Sequence, residues 1–495
     1  MKKIIFIFAI VLLGLTSCDN YLDINTDPNS PSESNVTPSM IFPGAEMNLA
    51  ASYGDYLRIT GGYLAQQYAQ DFGTSNYLDY SQFGVSATRS SGTYTQLFSH
   101  TLKNLQTVRD QAEASEEWGT YLAATTLRAF TYQVLVDAYG SVPYTEALDV
   151  NNLTPKYDDG LTIYQGILGE LNDALSKVSS SDVVCTNMLF GTSTVDEWVK
   201  FANALKLKIL MRMSDVQDVQ SDLAKLIQEN NFPTSDVAWS GFWADETGKA
   251  NPFYQEEFAS YFGSTQVNVI GNIAYLQTLQ STNDARLNKF YETNGAGKYQ
   301  GGVSGTNFSG SSFGAADFCR PVATYDMPVN LITVSEIEFF KAEYYARYGS
   351  SADAETHYEA AIDASFASAG LSAADAADVY TNQYPWDNSK YKELIGIQKW
   401  IALGGTNNFE AWCEMRRLKY PEFGTATGAD IYNETNYTYS PDAYQPGTLY
   451  TPIKYNTKLG ADKILQRFRY AESSVNRNNN APANEGDGTP VFWAK

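Results

Sequence analysis

At 495 residues, with 43% hydrophobic and 14% aromatic content, the chain can bury a sizeable core, in one large domain or two or three ordinary ones, and is not a disordered polymer. A formal charge of −22, from 56 acidic against 34 basic residues, argues against a nucleic-acid partner and against electrostatic adhesion to anionic lipid. Its 35 tyrosines and 25 phenylalanines suit wet binding faces as well as cores, because a tyrosine ring is apolar with a polar tip.

The N-terminus carries Lys2 and Lys3, then ten apolar residues from Ile4 to Leu13, then Gly14 and Leu15-Thr16-Ser17-Cys18. A bilayer span needs about 20 apolar residues, so this run is a secretory signal and not an anchor helix. Its end resembles a bacterial lipobox. Residues 1–17 are then a removable signal peptide and Cys18 is the lipid attachment point, and loss of the two lysines takes the net charge from −22 to −24. Residues 18–45, rich in Asp, Asn, Ser and Pro, read as an irregular tether, and residues 46–495 as one domain. Beyond Cys18 only Cys185, Cys319 and Cys413 occur, which gives neither a disulfide framework nor a zinc spacing.

Helical periodicity dominates from residue 46. The expected helices are Gly54–Tyr68, Thr95–Ala114, Thr120–Tyr139 ending at Gly140, Leu161–Val178, Asp196–Met213 and Val216–Glu229. Between about Asn230 and Met327 the chain turns to Pro, Gly, Trp, Tyr and Ser, and Asn294–Gly314 is a glycine-rich loop of a length that is usually functional or mobile. Helices resume over Ser335–Arg347, Asp353–Ala367, Ser389–Leu403 and Asn407–Arg417, and the tail from Pro421 is irregular. Within Ser335–Phe366, residues Ala342, Tyr345, Gly349, Ala354, Tyr358 and Ala361 follow at intervals of 3, 4, 5, 4 and 3. That spacing matches a tetratricopeptide helix pair, with small residues letting the helices approach and tyrosines filling the gap between pairs. The fold class expected is mainly α: a tetratricopeptide-like helical-repeat scaffold with a loop-rich, irregular insert and tail.

Catalytic signatures are missing. His100 and His357 sit far apart in helical stretches without partner motifs, and no metalloprotease, nucleophile-elbow, Walker or C-x-x-C pattern appears. The acid doublets Glu116-Glu117, Asp158-Asp159 and Glu256-Glu257 do not place two carboxylates across a cleft at the ~5–10 Å that glycoside hydrolysis needs. No EF-hand spacing occurs, and neither a metal nor any other cofactor is expected.

Several segments together resemble one family, the SusD/RagB outer-membrane lipoproteins, in particular its SusD-like subgroup 2. They are the lipobox with Tyr21-Leu22-Asp23-Ile24-Asn25-Thr26-Asp27-Pro28-Asn29, Asp137-Ala138-Tyr139-Gly140-Ser141-Val142-Pro143-Tyr144, Asn251-Pro252, Arg286-Leu287 and Tyr299-Gln300-Gly301. Phe339–Glu343, Gln398-Lys399-Trp400, Glu410–Tyr420 with Arg416-Arg417, and Arg469-Tyr470 with Glu472 and Asn476 complete the set. Asn283-Asp284-Ala285-Arg286 departs from the family's commoner Asp-Pro-Arg. The resemblance implies four tetratricopeptide-like pairs, an outer-membrane lipid anchor facing the cell exterior, and a TonB-dependent, SusC-like transporter barrel as partner. The implied ligand is an oligosaccharide, or in some members a peptide, and nucleic acid is not a partner.

A neutral sugar presents apolar C–H faces and a rim of hydroxyls, so its site needs rings to stack on and amides to hydrogen-bond. The insert offers Trp239, Trp243, Phe253, Tyr254 and Phe313, and the N-terminal helices offer Gln66, Gln67, Tyr77 and Tyr80. These nine are the candidate ligand-binding residues. A glycan-active enzyme and a protein-recruiting scaffold are the rival readings; the first lacks a catalytic signature and the second has no need of the aromatic, glycine-rich insert.

Overall fold

The first helix, α1 (Pro38–Ser52), begins inside the stretch expected to be tether. Proline suits a first helical turn, where its missing N–H is not called for, and Phe42, Ala45 and Leu49 are fully buried, which draws the segment onto the core. The structure, a computed structural model, describes residues 36–259, 267–483 and 486–495; Cys18 and the signal peptide lie outside them. A π-helical segment, Tyr53–Leu57, joins α1 to α2 (Arg58–Leu64), and a short strand β1 (Tyr68–Gln70) follows.

Helices α3 (Ala87–Gln96) and α4 (Lys103–Ala114) lead into α5 (Trp118–Tyr139), in which every residue from Gly119 to Tyr139 is buried. A helix buried on every face lies at the centre, and this one is packed by α4 and by α6 (Gly160–Lys177). It stops where expected. Gly140 takes φ +82°, costly for any residue with a Cβ, and donates its N–H to the Val136 carbonyl at 2.8 Å. Helices α7 (Asp196–Met213) and α8 (Gln220–Glu229) complete the N-terminal half.

The insert is stitched to the helical body by two-stranded ribbons. Strand β2 (Val237–Trp239) pairs antiparallel with β4 (Val329–Ile332), and β3 (Val269–Gly271) pairs with β1 in the register Tyr68↔Gly271, Gln70↔Val269. Helix α9 (Ile273–Ser281), not anticipated from the sequence, follows β3 and is capped by Asn272, whose side chain accepts from the Ala274 N–H. At the departure from the Asp-Pro-Arg pattern, Asp284 accepts from the Arg286 backbone N–H at 3.0 Å and pairs with its guanidinium at 2.6 Å.

Helices α10 (Val334–Tyr348) and α11 (Ser351–Ser368) form the repeat-like hairpin read from the sequence. Ala342, Ala354, Ala361 and Tyr358 are fully buried between them, and a Cβ on Gly349 would lie 2.5 Å from the Tyr345 ring. The pair α12 (Tyr391–Gly404) and α13 (Asn408–Leu418) closes the body, and the tail ends in a hairpin of β5 (Tyr432–Asn433) and β6 (Thr438–Tyr439) with irregular chain beyond. Fold and class agree with the sequence reading.

Charges cross the centre of the fold. Arg212 on α7 bridges Asp137 on α5 and Glu410 on α13, and Lys208 lies 3.1 Å from Glu336 and 3.3 Å from Glu410. Lys399 meets Glu414 at 2.7 Å, and Arg417 holds Glu343 at 2.6 Å and Glu414 at 2.7 Å. Burial alone would raise the Glu410 and Glu414 carboxyls, but the guanidinium and ammonium groups beside them hold both below the usual range.

Among the described residues no such cation stands beside Glu46 on α1. Its carboxylate accepts the Met188 N–H at 2.7 Å and the Leu189 N–H at 2.9 Å, yet burial pushes its pKa up to about 7. Below pH ~4.5 the group is protonated folded and unfolded alike, and its contribution is complete. Between there and about pH 7 the unfolded chain gives up this proton while the folded chain keeps it, so stability is lost as pH rises. The expected result is that Glu46→Gln flattens the fall in urea midpoint between pH 5 and 7; an identical pH profile in the variant would show that Glu46 does not titrate there.

Candidate functional site

The chemistry-bearing groups singled out by sequence are occupied elsewhere. Asp159 caps α6 by accepting the Thr162 N–H at 3.0 Å, and Asp158 takes the Tyr144 and Thr145 N–H groups. Glu257 is buried and accepts the Asn268 N–H at 2.8 Å, while its neighbour Glu256 is exposed, as are Glu116 and Glu117. His357 pairs with Glu338 and stacks on Tyr345 with centroids 5.1 Å apart; His100 lies exposed in a second π-helical segment, Leu97–Leu102. Among the described residues no group of three or more His, Cys, Asp or Glu is placed to hold a metal ion.

Six of the nine candidate binding residues are interior. Gln66 clamps Tyr450 in both directions, its amide donating to the Tyr450 carbonyl at 2.7 Å and its oxygen accepting the Tyr450 N–H at 3.1 Å. Gln67 donates to the Trp400 carbonyl at 2.9 Å and accepts from the Asn408 amide at 2.8 Å. Tyr77 and Tyr80 stack on each other at 5.6 Å beneath Tyr63, Phe253 stacks on Tyr68 at 5.9 Å, and Trp239 is fully enclosed. With 0–6% of their surface exposed, these six offer a ligand almost nothing to touch and hold the framework instead. Trp243, half-buried, packs on Phe242 and donates to the Trp239 carbonyl, and Tyr254 meets Tyr325 edge-on at 6.5 Å.

Phe313 is the candidate that reaches a built surface. Three segments converge there: the turn after β1, the glycine-rich loop, and the β5–β6 hairpin. Gly73 donates its N–H to the Asn307 carbonyl at 2.9 Å, and the Asn307 amide returns a bond to the Thr74 carbonyl at 2.8 Å, which locks the first two together. Phe308 packs on Tyr432 at 4.6 Å and on Phe318 at 4.5 Å; Phe313 leans on Phe308 at 5.6 Å and on Tyr439 at 5.7 Å. Thr306 donates to Glu434 at 2.8 Å, tying loop to hairpin.

The outer layer of this cluster is partly exposed. Phe72 and Phe313 are half-buried and pack against one apolar cluster whose members include Ala69, Ile270, Val303 and Phe318, and Tyr437 at the hairpin tip is 45% exposed. Gly310, at φ +84°, makes room for that tip, since a Cβ there would lie 2.8 Å from the Tyr437 hydroxyl. At the inner edge Asp71 accepts the Phe72 N–H at 2.7 Å and pairs with Arg320 at 3.1 Å. Burial is the larger influence on the Asp71 carboxyl and raises it, Arg320 and the backbone bond offsetting part. The result is a set of part-exposed rings on hydrogen-bonded segments that also carry the exposed polar residues Asn76, Thr435 and Asn436. Phe72 and Tyr437 were missed by sequence reasoning, although Asn433-Glu434-Thr435-Asn436 between tyrosines is a legible hairpin signal.

A family model described as SusD-like_2, starch-binding associating with outer membrane, matches residues 28–442. No protein of curated function matches the sequence. Solved structures do match over nearly their full lengths. A SusD homologue from Bacteroides uniformis ATCC 8492 is 20% identical with a TM-score of 0.72, covering 91% of this chain and 98% of its own. A chitin-binding protein is 19% identical with a TM-score of 0.71, covering 91% and 99%. A SusD-like protein from Bacteroides thetaiotaomicron VPI-5482 is 20% identical with a TM-score of 0.66, covering 91% and 98%.

Proposed function

Since this chain belongs to the SusD-like family, we propose that it is a cell-surface lipoprotein, anchored to the outer membrane through Cys18. It binds an oligosaccharide and delivers it to a TonB-dependent, SusC-like transporter barrel. The observation that carries the reading is that the part-exposed rings of Phe72, Phe313 and Tyr437 belong to three segments tied to one another by hydrogen bonds, the first two rings on one apolar cluster and the third against Gly310. Rings held in place before the ligand arrives lose little entropy on binding, and their π faces suit the C–H faces of a pyranose. A similar structure carries the name chitin-binding protein, which supports a glycan ligand. The acid doublets, spent on helix capping and backbone bonds or left apart at the surface, support binding without turnover.

Phe313→Ala and Tyr437→Ala are each expected to weaken glycan binding by about 1–2 kcal/mol, roughly 5- to 30-fold in Kd, while Tyr254→Ala leaves it unchanged. The check is mobility of the mature chain in native gels cast with a panel of polysaccharides, with the same mixtures assayed for new reducing ends. Retardation without new ends, lost in the two face variants, is the expected outcome. New reducing ends would replace the reading with an enzyme, and no retardation on any glycan would redirect it to peptides.

A further inference from the structure

The structure assigns a second binding site, for a carboxylate-bearing ligand, to the cleft between Arg58, Lys289 and the loop Gly404–Thr406. Arg58 opens α2 directly after the π-helical segment and is 6% exposed. Its Nε is enclosed and has no hydrogen-bond partner, and its Nη2 reaches the Gly405 carbonyl only at 3.5 Å. Elsewhere in the interior a buried guanidinium is neutralised or saturated. Arg128 has Glu170, Arg286 has Asp284 and Arg417 has Glu343, and Arg416 is filled by the Asp137 and Gln466 carbonyls at 2.9 and 2.7 Å. Among the described residues no carboxylate lies within ion-pair distance of Arg58. A desolvated, uncompensated cation is costly, and arginine cannot relieve the cost by losing its proton.

That charge faces usable space. The cleft holds about 240 Å³, lined by Arg58 with Lys289, Phe290, Thr324, Asn330 and Thr406 among others, and none of its lining residues among the described ones is acidic in a chain that carries 56 acids. The guanidinium is held over the Phe253 ring at 4.8 Å, and that ring is itself stacked on Tyr68 with planes 3° apart, so the donor fork is oriented before anything binds. Lys289 adds an exposed cation at the rim. A planar fork of N–H donors matches a carboxylate in bidentate fashion. Only the Arg58 charge is buried and in need of a partner, which matches a monoanion; Lys289 is exposed and already solvated, so it adds little toward holding a second negative charge. The volume, just under the ~300–1,000 Å³ of a site for a drug-sized ligand, admits a single small ring or a short chain end. A uronic acid unit of an acidic glycan and the C-terminal carboxylate of a peptide share this chemistry. The inference rests on the cleft and stands or falls separately from the neutral-sugar face.

The test uses the full chain in detergent at low salt, with glucuronate, glucose, acetyl-diglycine and inorganic phosphate as probes in thermal-shift and calorimetric titrations. Glucuronate or acetyl-diglycine is expected to bind and raise Tm where glucose does not, and whichever does so names the source of the carboxylate. Arg58→Met is expected to raise the unliganded Tm, because an uncompensated charge is removed, and to weaken carboxylate binding about tenfold or more. Arg58→Lys should keep a weaker response. Phosphate binding more tightly than either carboxylate, carboxylate binding that survives Arg58→Met, or no binding of either carboxylate by the wild-type chain would each overturn the assignment. The wild-type comparison of glucuronate with glucose decides even if a variant fails to fold, since the two differ only at the oxidised carbon.

Discussion

Replacing Arg212 with methionine is expected to destabilise the protein by about 3–5 kcal/mol, the range for breaking a buried pair from one side. Its guanidinium bridges Asp137 and Glu410 and lies 3.5 Å from Glu414, with all four side chains essentially without solvent contact. Methionine fills much of the volume but leaves these carboxylates facing one another in a medium that cannot screen them. Asp137 keeps the Tyr164 hydroxyl at 2.5 Å and the Trp493 N–H at 2.8 Å, so part of its demand survives, whereas Glu410 is left with Lys208 as its cation. Adding Glu410→Gln to Arg212→Met should therefore recover more than Glu410→Gln costs alone. Urea midpoints of the two single variants and the double check this; a loss below about 1 kcal/mol for Arg212→Met would mean that water or rearrangement compensates the acids.

Gly61→Ala is expected to cost about 3 kcal/mol, at the upper end for overpacking, because the added methyl meets backbone and not a movable side chain. A Cβ at Gly61 would lie 2.5 Å from both the Asn408 carbonyl oxygen and the Phe409 Cα, at the crossing of α2 and α13. Relief requires the two helices to separate. Because Gln66 and Gln67 at the end of α2 are anchored to Tyr450 and Trp400, separation would also displace β1 and the turn carrying Phe72. The variant should lose glycan affinity along with thermal stability. Gly44→Ala is the control: nothing lies within 4 Å of its Cβ, so gaining a helix former at that position should be neutral or mildly stabilising. Equal melting of the Gly61 and Gly44 variants would show that the crossing has room.

The helical body was legible because its signals are local. Gly140 ends α5, and the alanines and tyrosines of α10 and α11 pack as their spacing requires. α1 was missed because Pro, Ser and Asn around residue 38 read as tether, and only burial of Phe42 against distant residues makes it a helix. α9 was hidden inside a stretch whose composition speaks of loops, although its Asn272 cap was present to be read. The segments that carried the family resemblance are mostly framework: Asp137, Glu410 and Arg417 belong to the central charge network, and Gln398 accepts from Arg286 at 3.0 Å.

The site was less legible for a different reason. Sequence gives the positions of rings but not which side of the chain faces water, and large aromatics go inward by default. Phe313 is half-exposed while Phe253, in the same insert, is enclosed, with Tyr68, Phe258 and the Arg58 guanidinium packed on its ring. Arg58 carried no mark at all, since a lone arginine in a helix reads as surface.

The clamp from Gln66 to Tyr450 spans 384 positions, that from Gln67 to Trp400 spans 333, and the β1–β3 ribbon joins residues 200 apart. Contacts of such sequence separation form late, because the closure entropy of a long loop must be met before the contact rewards it. During synthesis β1 meets its partner strand once residues 269–271 have emerged, whereas Gln67 waits for Trp400 and Gln66 for Tyr450, so the segment after α2 is pinned at both ends only when most of the chain has been made. Maturation of the ligand face is consequently an event of the finished chain, with a timescale set by topology and not by the speed of its helices.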